Sequence, residues 1–168
     1  NQQVGETVNQ RIQGIGDINL INYYTVFHSN QLTKQNKVFL QSLRAAMGVK
    51  LPTGKFEMDV ANVSSQLFTN GTGTLDFLLG AVYEARLQNT GINISSNYKL
   101  NTENSVGYQY GNKFQSSAQL YQKFFVGMDF SIAPNLGIQI EQNNKDQNLG
   151  NEVGVSGGDL TTLNYGAE

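Results

Sequence analysis

Along residues 74–87 the chain alternates strictly, with Leu75, Phe77, Leu79, Ala81, Tyr83, Ala85 and Leu87 on odd positions. Thr74, Asp76, Gly80, Glu84 and Arg86 fall between them. A two-residue period puts successive side chains on opposite faces of a strand, whereas a helix would scatter Asp76, Glu84 and Arg86 around its surface. The run also outlasts the about five or six residues of an ordinary soluble strand.

The pattern recurs. In 92–100, Ile92, Ile94, Tyr98 and Leu100 oppose Asn93, Ser95, Asn97 and Lys99. In 113–128, Phe114, Ala118, Leu120, Phe124, Val126 and Met128 oppose Lys113, Gln115, Ser117, Gln119 and Lys123. In 39–51, Phe39, Leu43, Ala45, Met47, Val49 and Leu51 oppose Ser42, Arg44, Gly48 and Lys50. Weaker strands are predicted over 16–27 and 136–142, and a partial seventh begins near Leu160. Compact connections (29–37, 89–91, 131–135) alternate with longer polar ones (52–72, 101–112, 143–158). That rhythm suits a transmembrane barrel, with short turns at one end and long loops at the other. Asn89-Thr90-Gly91 and Ala133-Pro134-Asn135 carry turn chemistry, and 141–150 is polar enough to be a loop tip.

Composition sharpens the choice of solvent. Hydrophobic residues make up 39% and charged residues 14% of the chain, both below soluble averages, and amides fill the gap at roughly a fifth of the residues. With each strand phased by its apolar residues, Asp17, Arg44, Lys50, Asp76, Glu84, Arg86, Lys99, Lys113, Lys123 and Glu141 all fall on the other face. The exceptions on the apolar face are uncharged: Asn22, Gln41, Ser96, Ser116 and Gln122. A charge facing lipid at mid-bilayer costs about 2–4 kcal/mol, so a membrane barrel requires this segregation. A soluble β-sandwich or lipocalin-like binding protein would show the same alternation with the faces exchanged. Against it stand the strand length and the scarcity of lysine on the polar face.

The expected fold is therefore all-β: a single domain over 1–168, an antiparallel up-and-down transmembrane β-barrel with about seven visible strands. Seven is odd where bacterial single-chain barrels are even, so the chain is expected to be a fragment of a larger barrel, incomplete at one or both ends. A net charge of −2 offers no basic surface for nucleic acid. Zero cysteines exclude disulfides, thiolate catalysis and cysteine-based zinc sites.

Several segments together resemble a known group. They are Gly14-Ile15-Gly16-Asp17, Gly48-Val49-Lys50-Leu51-Pro52-Thr53-Gly54, Gly71-Thr72-Gly73-Thr74-Leu75-Asp76, Tyr108-Gln109-Tyr110-Gly111-Asn112 and Ser156-Gly157-Gly158. The series is similar to the outer-membrane transporter family named after the meta-pathway of phenol degradation, which is related in style to fatty-acid and aromatic-hydrocarbon channels. The resemblance runs from about Gly14 onward, and the Lys-Leu-Pro-Thr-Gly and Gly-Thr-Gly-Thr-Leu-Asp segments are its most specific part. It implies a barrel in the outer membrane of a Gram-negative envelope, passing small or hydrophobic molecules. Such barrels usually end in a strand with a terminal aromatic, whereas this chain ends Tyr165-Gly166-Ala167-Glu168.

Arg44, Lys50, Asp76, Glu84, Arg86, Lys99 and Lys123 are candidates to line a pore, since rings of charge set selectivity in channels; equally, they could pair across strands and fill the lumen. Tyr121 and Phe125, with Tyr23 and Phe27, share the inward parity and could form an apolar ligand track, or serve as interfacial girdle residues. Phe56, Met58, Val60, Val63, Leu67 and Phe68 in the 52–72 loop could fold inward as a gate or pack as an ordinary surface loop.

His28, the single histidine, is expected at a turn, without the neighbours of a metal site or nucleophile–base pair. Asp76 and Glu84 stand roughly 26 Å apart along one strand, too far to share acid–base work. Gly14-Ile-Gly-Asp lacks the helix a dinucleotide loop needs. The Asn-x-Ser/Thr matches at Asn62, Asn70 and Asn93 are chance in so Asn-rich a chain. The expected function is passive diffusion through a porin-like transporter in the bacterial outer membrane. Its expected partner is outer-membrane lipid, with no cofactor, no metal and no enzymatic reaction. The alternatives are a non-transporting structural or adhesive envelope protein and the soluble binding protein.

Overall fold

The computed structural model describes residues 14–32, 38–56, 70–127 and 130–168, and every regular element among them is a strand. The principal sheet is an antiparallel meander of β1 (Ile18–Leu32), β2 (Val38–Leu51), β3 (Asp76–Leu87), β4 (Thr90–Leu100), β6 (Lys113–Gln122), β9 (Pro134–Asn143) and β12 (Gly158–Ala167). Between them come β5 (Tyr108–Gln109), β7 (Phe124–Val126), β8 (Phe130–Ile132), β10 (Gln147–Asn148) and β11 (Asn151–Glu152). The seven long strands follow one another in chain order, so each hairpin closes on its neighbour. β1 and β12 each pair on one side, and no closed barrel is found among the described residues. Being first and seventh in an up-and-down order, they run in the same direction, so antiparallel closure would take an odd number of further strands.

Cross-strand register carries the period-two pattern across the whole sheet. Lys50 faces Asp76, Leu78 faces Lys99, Lys99 faces Lys113, and Lys113 faces Asn143. Directly opposed residues project to the same side, so one face collects the charges and amides. Phe77, Leu100 and Phe114, or Tyr83, Ile94 and Ala118, collect on the other. The face expected to be free of charge does carry Asp159, the second residue of β12, which pairs with Gln142 at the long-loop rim.

Four expectations are corrected. β1 continues through Leu32, so His28 is not a turn residue; it lies within the strand opposite Ser42. A bulge at Val26, between the pairs Thr25–Arg44 and Phe27–Leu43, reverses the parity of the rest of β1. Phe27 therefore joins the apolar face. The turn after β3 is Gln88-Asn89, with positive φ at Gln88 (55°) rather than at Gly91. Gly91 lies within β4, where a Cβ would meet the Tyr121 ring at 2.3 Å. Finally, the third compact connection lies beyond Val126 rather than at 131–135, because β7 and β8 extend the hairpin past Lys123.

Burial runs opposite to that of a soluble protein. Along β9, Leu136, Ile138 and Ile140 are exposed, while Asn135, Gly137, Gln139 and Glu141 between them are shielded. Asp76 (0%), Thr74 (1%) and Lys50 (5%) are among the least exposed side chains, against 61% for Leu136 and 72% for Leu163. No second described sheet covers the apolar face. The sheet curls toward its polar face, since side chains from β1, β2, β3, β4, β6 and β9 line one groove there.

Candidate functional site

The polar face divides into three zones along the strands, and the segments singled out by sequence converge on the first, at the long-loop end. Asp17, just before β1, receives the Gly54 amide on one carboxylate oxygen (3.0 Å) and the Thr72 amide and hydroxyl on the other (2.9 and 2.8 Å). It thereby clamps both stems of the 52–72 loop. The stems touch: the Gly71 amide donates to the Lys55 carbonyl at 3.0 Å, and a Cβ on Gly54 would come within 2.7 Å of the Gly71 backbone. Lys50 reaches Asp17 (3.2 Å), Asp76 (2.5 Å) and the Thr74 hydroxyl (3.3 Å), and also donates to Thr72. Lys99 completes the cluster at 3.3 Å from Asp76. Burial pushes the Asp17 carboxyl up, but hydrogen bonds from Thr72, Gly54 and Lys50 outweigh it and hold the group below the usual carboxylate range. Of the two readings of Lys50 and Asp76, pore lining or pairing across strands, the geometry gives the pairing: both are buried in this ion cluster, each the other's compensation for leaving water.

A cap of loop structure sits on the cluster. The Thr102 amide donates to Asp76 (3.1 Å) and its hydroxyl to the Leu75 carbonyl (2.8 Å). Beyond it, β5 pairs with β10 and β10 with β11, joining the 101–112 and 143–158 connections. Asp146 holds them together, accepting from the Tyr108 hydroxyl (2.5 Å) and the Gly111 amide (2.7 Å) while its own amide donates to Ser156 (2.8 Å). A Cβ on Gly111 would lie 1.8 Å from the Asn144 carbonyl oxygen, so this packing needs glycine. The 141–150 run, expected as a loop tip, thus supplies the end of β9 and all of β10.

The middle zone is a niche of about 270 Å³. It is lined by the small residues Ala46 and Gly80, by Ile21, Tyr23 and Leu78, and by the amides of Asn97 and Gln115. The third zone, at the turn end, is a groove of about 620 Å³ reached by His28, Glu84, Arg86, Tyr121, Lys123 and Asn135. Glu84 is bound by Arg44 (2.8 Å) and the Ser42 hydroxyl (3.2 Å). Lys123 lies 5.2 Å from the centre of the Phe125 ring, which projects with β7 and is largely exposed.

These placements separate the sequence candidates. Arg44 and Glu84 form a half-exposed pair, Lys99 belongs to the ion cluster, and Arg86, Tyr121 and Lys123 share the groove. The aromatic track does not form: Tyr23 lines the niche, Tyr121 the groove, Phe125 the projecting hairpin, and Phe27 the opposite face. The gate residues Met58, Val60, Val63, Leu67 and Phe68 lie outside the described residues. Sequence reasoning did not find Asp146 or Thr102 as organising residues, because the contacts of the Asp146 carboxylate and of Thr102 with Asp76 reach 26 and more positions away. No group of three or more His, Cys, Asp or Glu suited to a metal ion occurs among the described residues. Comparison with protein-family models and with curated proteins gives no match.

Proposed function

We propose that this chain is part of an outer-membrane β-barrel that passes small molecules by passive diffusion along its polar face. The observation that supports this best is the inverted burial of β9, where lipid would take the place that a core takes in a soluble protein.

The polar residues stranded on the apolar face support it further. Ser96 and Ser116 stand opposite each other and share a hydrogen bond at 2.9 Å; Tyr83 donates to Gln41 at 3.3 Å, and Thr90 to Gln122. Hydrocarbon offers such groups no partner, so mutual satisfaction is what lipid exposure demands. Asn22 on β1 is the one of those five for which no such bond is recorded among the described residues. Asp159 stands at the rim, where charge costs little. Strands of ten to fifteen residues match the ~9–11 residues a tilted strand needs to cross hydrocarbon.

Liposome swelling with the full-length protein tests transport, after a heat-modifiability gel has shown a folded barrel. Solute entry above that of empty liposomes is expected. A folded barrel with no entry would sink the transport reading. It would favour the non-transporting envelope protein, for which the hydrogen-bonded loop cap speaks.

A further inference from the structure

The polar face carries six bases (Arg44, Lys50, Arg86, Lys99, Lys113, Lys123) against five acids (Asp17, Asp76, Glu84, Glu141, Glu168), although the whole chain has a net charge of −2. The surplus is localised. Glu84 holds Arg44, Asp17 and Asp76 hold Lys50, Asp76 holds Lys99, and Glu141 holds Lys113 at 2.6 Å. Arg86 and Lys123 make no ion pair with any described residue, and both line the turn-end groove. The one other carboxylate there, Glu168, stands at the edge and meets neither within salt-bridge distance. Around the two cations stand hydrogen-bonding neutral groups: the Tyr121 hydroxyl, the Asn93, Gln119 and Asn135 amides, and Ser131.

A guanidinium and an ammonium that form no ion pair among the described residues, beside neutral hydrogen-bonding groups, attract a small carboxylate by charge and give it hydrogen bonds. We infer that the turn-end groove is an anion filter, and that the solutes passed most readily are small carboxylates and other small anions. This rests on the diffusion reading above and specifies its substrate class.

The test is the reversal potential of the full-length protein in a planar bilayer under a KCl gradient, repeated with potassium acetate. Chloride and acetate should each permeate at least about fivefold better than potassium, since one unit charge at close range in a water-like dielectric favours an anion about fivefold and disfavours a cation as much. The double variant Arg86→Glu/Lys123→Glu, verified as folded by heat-modifiability, should reverse the sign. Lys145→Gln, removing a loop cation outside the groove, should leave it unchanged. Conductance that is cation-selective in the wild type, or unaltered in the double variant, overturns the filter and leaves the diffusion reading standing. A folded barrel without conductance overturns both.

Discussion

At the scale of single residues, the ion cluster around Lys50 is where one substitution acts hardest. Lys50 neutralises two carboxylates that have left water, Asp17 and Asp76, and both of them organise backbone amides. Lys50→Met leaves them facing each other and should destabilise the fold by roughly 3–5 kcal/mol, read as a lower urea midpoint in detergent. Asp17 also gives the cluster a pH dependence of definite sign. Its folded carboxyl titrates below the ordinary value, so its contribution is complete above that value and is lost as pH falls through the lower folded one. Wild-type protein should lose stability on acidification from neutral to about pH 3, near the ordinary carboxylate range, and Asp17→Asn should lose less over the same interval. An equal loss in the variant would remove Asp17 from the account. The charged identity and face of these residues could be read from the sequence; their convergence could not, because it brings Asp17 to loop stems 37 and 55 positions away.

At the scale of elements, the strand pattern decides which changes of length are tolerated. Val26 is an extra residue in β1, opposed by nothing in β2. Removing it leaves Thr25 on Arg44 and Phe27 on Leu43 with faces unchanged, so the deletion variant should still show heat-modifiable migration. Deleting Leu79 from β3, which pairs residue for residue with both neighbours, exchanges the faces of half a strand and should abolish the folded band. Equal behaviour of the two deletions would contradict the register.

The sequence made β2, β3, β4 and β6 legible because their alternation is sustained, while β1 and β9 read more weakly. It hid the bulge, because Thr25-Val26-Phe27 reads as a smooth continuation of a strand. It also hid β5, β10 and β11, which are two residues long and exist only through partners brought in from distant loops.

For the whole molecule, the central claim is that the apolar face meets lipid and the polar face meets water. Register sorts the residues between the two faces, and burial follows it along β9 and the first half of β3; the alternation had sorted most of them, and what the sequence left open was which face is turned away from bulk solvent. The curl of the sheet toward its polar side bears on that question and was not legible in the sequence, since it depends on how seven strands twist together and on no single residue.

The complete absence of cysteine makes the direct measurement clean. Single cysteines placed in turn at residues 136–141 of β9 would be spin-labelled and the full-length protein reconstituted in lipid. Collision with oxygen, which concentrates in hydrocarbon, would then be compared with collision with a water-soluble nickel chelate. The account predicts a two-residue period, with oxygen favoured at Leu136, Ile138 and Ile140, and the chelate at Gly137, Gln139 and Glu141. Chelate access at Leu136, Ile138 and Ile140 equal to that at their neighbours would contradict it, and the apolar face would then be a surface that meets no lipid.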